Sequence, residues 1–289
     1  IEAWGWNQEQ WTDKQFPHKY VLDEIFPNTP VIASRIDGHS IWANSKALEI
    51  AGININTENP QGGTIIRDDN SEATGLLIDN AMKLVTDLLP DYSFEQNANF
   101  MRAAQSSYLR NGIAEVADMD VAAEYFPIFA DLIKNKLLKM RINAYTKAQH
   151  NEYISAGLFP FRSEKLSLLG LKFFADGALG SKGAALLDSY LGDPDNSGLD
   201  LIDTHSLFMK AKRGILSGFD IAVHAIGDRA NRNVIEVFRQ LRADSLVKNK
   251  GVLRLEHAQI LTDQDADLAQ SVGAIMSIQP IHYSGDICG

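Results

Sequence analysis

Two rhythms of apolar and polar positions divide this chain near residue 92. From about Ser93 onward, helical patterns alternate with short apolar runs. SFEQNANFMRAAQSSYLRNG predicts a helix ending at Gly112, a favoured residue just past a helix end. The strand IAEVADM follows, then a helix around Tyr125–Lys136, the strand MRINAYT, a short helix and the strand LSLLGLKFFAD. Beyond a Gly-rich loop over 177–198 come a helix (204–217), the strand DIAVHA, a helix (229–243) and the strand VLRLEHA. TDQDADLAQSV predicts a last helix and AIMSIQP a last strand. The six strands lie near 113–119, 139–146, 167–175, 220–225, 252–258 and 274–279. Strict alternation of strand and helix implies a parallel α/β sheet with right-handed crossovers. Six units fit an open doubly wound sheet or an incomplete eight-fold barrel. Ionisable residues at the ends of several strands favour the barrel, since an open sheet gathers its site at one switch point.

The first 92 residues keep a different time. VIASRIDGH predicts a strand running into a turn, SIWANSKALEIAG a helix ended by Gly52, and GGTIIRDDNSEATGLLID a hairpin turning at DDNSE. Trp4, Trp6 and Trp11 crowd the opening segment. We expect residues 1–92 to form a lid-like insertion over the mouth of a barrel to which residues 93–289 contribute. The chain begins with Ile1 rather than Met and stops at Gly289 just after a strand, so it is expected to be part of something longer.

Composition narrows the function classes. An excess of 37 acidic over 27 basic residues argues against nucleic acid as a partner. The single cysteine, Cys288, rules out an internal disulfide framework and a cysteine-based zinc knuckle. No apolar run reaches membrane-spanning length and no export signal opens the chain, so a cytoplasmic location is expected. A small-molecule substrate is the expected partner, and a homo-oligomer is compatible with the sequence.

Three polar residues interrupt the ends of apolar runs: Lys172 in LGLKFFAD, His224 in AVHAIGD and His257 in RLEHAQ. At the C-terminal end of barrel strands such residues point into the mouth, where sites on that architecture are built. Imidazole is the commonest side-chain ligand for catalytic zinc. His224 and His257 are spaced by one strand–helix–strand step, which would put them on neighbouring strands. A lone buried histidine is more often a satisfied core residue, and the matching pair is what shifts the balance. Lys172, among apolar neighbours, should have a lowered pKa. Its neutral amine could then take up carbon dioxide and offer a carbamate to metal. A lysine paired with Asp176 or Glu256 is the structural alternative. Asp176 could orient an imidazole or contact substrate, Asp228 could cap the helix it precedes, and His39 and His282 could reach a substrate. His18, His150 and His205 sit in polar contexts and carry no assignment.

These residues sit in motifs that resemble the amidohydrolase superfamily, in the branch that includes N-substituted formamide deformylase-like enzymes. The motifs are WGWNQEQW, RIDGHSIWANSKALEIAGI, GGTIIRDDNSEATGLLIDNAM, LKFFADGALGSKGAALL, AVHAIGDRAN, RLEHAQIL and SIQPIHYSGD, in order over nearly the whole chain. The resemblance implies a metal-dependent hydrolase on a (β/α)8 barrel, acting on C–N bonds other than peptides with one or two divalent ions, zinc foremost. Carried over by position, Lys172 resembles the carboxylated lysine of the fourth strand, and His224 and His257 resemble the ligands of the fifth and sixth. The six strands would then be the second to the seventh. No HxH pair occurs in the sequence, and the eighth-strand aspartate that serves as general base is expected outside this chain; Asp286 does not replace it. An inactive fragment or pseudoenzyme that keeps the fold is the alternative reading. A nucleotide-binding open sheet is disfavoured because no GxGxxG or GxxxxGK[ST] loop follows a strand.

Overall fold

The computed structural model describes residues 1–282, so Asp286 and Cys288 lie outside the described residues. Two sheets organise them. The first contains β1 (Glu2–Trp6), β2 (Ile32–Arg35), β3 (Ser40–Ala43), β4 (Gly63–Arg67) and β5 (Ala73–Asp79), in the order β1-β2-β3-β5-β4. β1 runs parallel to β2 and the other pairs are antiparallel. Helices α1 (Lys19–Ile25), α2 (Ser45–Ile50) and α3 (Lys83–Thr86) accompany it.

The stretch SIWANSKALEIAG, expected to be one helix, is two elements. Ile41 and Trp42 pair with Leu77 and Leu76 of β5, and only after Asn44 does the chain turn helical. Asn44 enforces the change. Its Oδ1 accepts from Ala47 N at 3.0 Å, capping α2, and from Val31 N at 3.0 Å, while its amide donates to Phe26 O and Thr29 O. The β-branched and aromatic residues ahead of it suit a strand buried on one face. The hairpin is found as expected, with Asp68 N donating to Glu72 O across its turn. β1 and α1 were not anticipated, because neither has a buried stripe to announce it.

The second sheet contains β6 (Glu115–Val121), β7 (Arg141–Lys147), β8 (Leu166–Phe174), β9 (Asp220–Ala225), β10 (Leu253–His257) and β11 (Ile275–Ser277). All its pairs are parallel, and the strands follow sequence order without reversal. No switch point exists in such an order, and every C-terminal strand end faces one rim. The helices on this part are α4 (Phe94–Arg110), α5 (Phe126–Lys134), α6 (Glu152–Ser155), α7 (Thr204–Leu216), α8 (Asp228–Ala243) and α9 (Asp263–Ser271). α4 opens with a capping box between Ser93 and Gln96. Leu168, Leu171, Phe173, Ile221, Val223, Leu253 and Leu255 are fully buried against the helices, chiefly α5, α7 and α8. Burial of each such side chain is worth about 1.5–3 kcal/mol, which fixes the register of the central strands. Among the described residues no helix is long and apolar enough to cross a membrane.

Candidate metal centre and substrate cavity

Register sets the site. Phe174 on β8 pairs with His224 on β9, and His224 pairs with Glu256 on β10, so three side chains stand level near the rim. Simple alternation would then send His257 to the opposite face. It does not, because His257 and Ala258 adopt left-handed φ of +75° and +46°. That break in the strand returns the His257 ring to the site, and its centroid lies 4.6 Å from that of His224.

Each imidazole has one nitrogen committed. His224 Nε2 donates to Gly177 O at 3.1 Å, and the Asp176 carboxylate stands 3.4 Å away. His257 Nδ1 is 2.6 Å from Gln279 Oε1. Because these carbonyl partners only accept, the committed nitrogens carry the protons, leaving His224 Nδ1 and His257 Nε2 with bare lone pairs. Burial pushes the His224 pKa well below its ordinary value, and the charges of Lys172, His39 and His257 push it further. His257 is also lowered, first by burial. Both rings are held neutral, the form that binds metal.

Lys172 is buried and its amine is pushed down to about 8 by desolvation, against the pull of Asp120, Glu256 and Asp176. Nζ sits 3.6 Å from the centroid of the Phe174 ring and donates to Phe173 O at 3.3 Å. The carboxylates suggested as its partners are occupied elsewhere. Glu256 bonds Arg254 Nε at 2.8 Å, and Asp176 accepts from the backbone N–H groups of Ala185, Ile226 and Gly227. Asp176 has no exposed surface, and burial raises its carboxyl to about 7 against those three donors. It lies behind the cavity wall, so the expected contact with substrate gives way to an anchoring position behind His224. Asp228 is not the cap of α8; Gly227 holds that position, and the Asp228 carboxylate accepts from Leu187 N. A Cβ at Gly227 would lie 1.9 Å from Ala185 O, so only glycine fits there.

Two cavities meet at this rim. The larger, about 550 Å³, is lined by His39, His224, His257, His282, Ile226 and Leu179, among others. The smaller, about 340 Å³, is lined by Lys172, Phe174, Asp120, Lys147 and Asp79, and it too includes His39. Lys172 therefore opens to one cavity and the two strand-end imidazoles to the other. Its charge nonetheless acts on both rings, and the Phe174 ring touches both the amine and His224. Among the described residues no three His, Cys, Asp or Glu side chains converge as a metal-binding set. The candidate centre is thus two imidazoles and a lysine. His282 lies beside His257, 5.8 Å between ring centroids, with Nδ1 3.1 Å from Gln259 Oε1.

Residues 2–288 match the amidohydrolase family. The chain belongs to that family. It is 33% identical to the protein LONG AFTER FAR-RED 3 of Arabidopsis thaliana, over 98% of this chain and 50% of that protein. It is 26% identical to the N-substituted formamide deformylase of Arthrobacter pascens, over 86% of this chain and 47% of that enzyme. Among solved structures, a metal-dependent hydrolase from Pyrococcus horikoshii OT3 superposes with a TM-score of 0.73 at 25% identity, covering 99% of this chain and 55% of that one. The chain spans about half the length of the curated relatives it matches. Family membership gives no support to the pseudoenzyme reading.

Within this amidohydrolase chain, the first sheet delivers His39, which the sequence offered as a substrate contact, together with Asp79 and Arg35, which sequence reasoning did not single out. His39 stands at the turn between β2 and β3, where Gly38 takes φ +77°, and its ring centroid lies 5.0 Å from that of His224. Its Nδ1 is 2.7 Å from Asp79 Oδ1. Burial works to lower the His39 pKa, but the hydrogen bond and charge of Asp79, with Asp37 and Asp176, carry it above the ordinary histidine value. Arg35, buried at the end of β2, bonds Asp37, Gln8 and Asn7. Gln279 and Asp79 each hold a histidine from far along the chain, and although each lies within a motif noted in the sequence, nothing local marks it as that histidine's partner.

Proposed function

We propose that the whole protein is a metal-dependent hydrolase of non-peptide, amide-like C–N bonds, built on a (β/α)8 barrel whose wall includes β6–β11. One observation carries the reading. Two neutral imidazoles at the ends of adjacent strands each have one nitrogen tied to a protein acceptor and the other without a hydrogen-bond partner among the described residues. Ligating histidines show this arrangement, because the outer hydrogen bond fixes tautomer and ring orientation. The donor set fits a divalent ion, zinc by preference, with His224 and His257 as ligands. Lys172, held toward its neutral amine, is suited to carry the carbamate that would complete the set. A divalent ion bound there would supply a water of lowered pKa and a Lewis acid for the substrate carbonyl.

The chain's own residues do the rest. Gly177 O and Asp176 hold His224 from one side, and Gln279 holds His257 from the other. His39 and His282 line the larger cavity from opposite ends of the sequence and are placed to contact substrate. Residues 1–92 serve as the lid that brings His39 to the rim. In the full-length protein, His224→Ala is expected to abolish metal-dependent hydrolysis of amide substrates and to lower the metal content found by elemental analysis. Undiminished turnover by that variant, or by enzyme stripped with a chelator, would remove the reading.

A further inference from the structure

We propose that Asp79 is a positioning residue that holds His39 at the junction of the two cavities, so that the amino-terminal sheet orients the substrate across both. The inference rests on the reading of the larger cavity as the substrate site.

The pair is tied twice. His39 Nδ1 meets Asp79 Oδ1 at 2.7 Å, and Asp79 N donates to His39 O at 3.0 Å. A carboxylate only accepts, so Nδ1 carries the proton and Nε2 is left for a ligand. Asp79 bears two local costs for this single side-chain contact. Its backbone lies at φ +48°, ψ −122°, a conformation that costs a non-glycine residue about 1–3 kcal/mol. Its other oxygen, Oδ2, is buried with no hydrogen-bond partner among the described residues, a further cost. Strain and an orphaned oxygen on one residue are more typical of positions kept for a site than for packing.

The surrounding backbone makes room for that carboxylate. A Cβ on Gly177 or Gly183 would come within 2.4 or 2.5 Å of Asp79 Oδ2. These glycines belong to the loop after β8, so the second sheet is cut back to admit a side chain of the first. Of these two cavities His39 lines both, whereas Lys172 lines the smaller and the strand-end imidazoles the larger. A ligand held at His39 can extend a substituent into each, which suits an amide with a group on either side of the scissile bond.

The test is a double-mutant cycle in the full-length enzyme. Asp79→Ala is expected to lower kcat/KM about tenfold, most of it through KM, and Asp79→Asn, which keeps an oxygen for Nδ1–H, to recover most of the loss. In a His39→Ala background, Asp79→Ala should have no further effect. An equal loss in both backgrounds would mean that Asp79 acts on the fold rather than through His39, and would overturn the proposal. Nitrogen NMR of His39 reads the same point without turnover. The proton sits on Nδ1 in the parent and leaves that preference in Asp79→Ala; an unchanged tautomer overturns the proposal. Failure of the hydrolase reading looks different, as a parent enzyme without metal-dependent turnover whose His39 tautomer still follows Asp79.

Discussion

Lys172 carries a cost in stability that only a function would repay. Burial depresses its pKa from 10.5 to about 8, so the folded protein gives up this proton more readily than the unfolded chain. Stability associated with the amine is therefore intact above the unfolded value and is lost as pH falls through about 8. Below that pH the cost approaches about 3 kcal/mol. Lys172→Met is expected to gain about 2–3 kcal/mol in the metal-free protein at neutral pH, a gain that shrinks as the pH climbs, and to lose turnover in the metal-loaded protein. Denaturant titrations of both proteins at neutral and alkaline pH measure it. A variant no more stable than its parent would show that the amine is not penalised by its surroundings. Lys172 and His224 were legible in the sequence because a polar residue inside an apolar run is conspicuous. His257 was legible by the same rule, although strand alternation alone would have turned it away; the left-handed turn at its own φ brings it back. Asp79 and Gln279 were not legible, since they sit 40 and 22 positions from the histidines they hold.

Among elements, the central strands β7–β10 of the second sheet were readable because apolar runs of strand length betray burial on both faces. β6 and β11, at the ends of the strand order and largely exposed among the described residues, were placed by the alternation of strand and helix. Their observed limits fall within about two residues of the expected ones, the usual uncertainty of such boundaries. The first sheet was only partly readable. SIWA and SKALEI have similar apolar content, and what divides them is Asn44, whose four hydrogen bonds reach the segments on both sides. A side chain that caps a helix and also stitches a buried loop should be costly to remove. Asn44→Ala is expected to destabilise the protein by about 2–4 kcal/mol, read from the midpoint of chemical unfolding. A loss under about 0.5 kcal/mol would show that other contacts decide where β3 ends and α2 begins.

For the whole molecule, the decisive relation is the seam between the two sheets. The order of the second sheet, without reversal, brings every strand end to one rim, and the first sheet meets that rim through His39, Asp79 and Arg35. The seam is close enough to be tested with one methyl group. Gly177→Ala places a carbon 2.4 Å from Asp79 Oδ2, so Asp79 must move and His39 with it. The expected result is a fall in kcat/KM of about tenfold, with a stability loss of about 1–3 kcal/mol from overpacking. Steady-state kinetics beside a thermal melt separate the two effects, and parental kinetics would show that the seam tolerates the shift. No sequence pattern revealed this seam, because its partners belong to different sheets and meet only in three dimensions.

The clearance left by Gly177 and Gly183 binds two distant stretches of chain to a common history. A hybrid that took its β2–β3 hairpin and β5 from one relative and the loop after β8 from another would inherit a carboxylate without its vacancy, or a vacancy without its carboxylate. Exchange between homologues has to carry both pieces at once, however many residues lie between them.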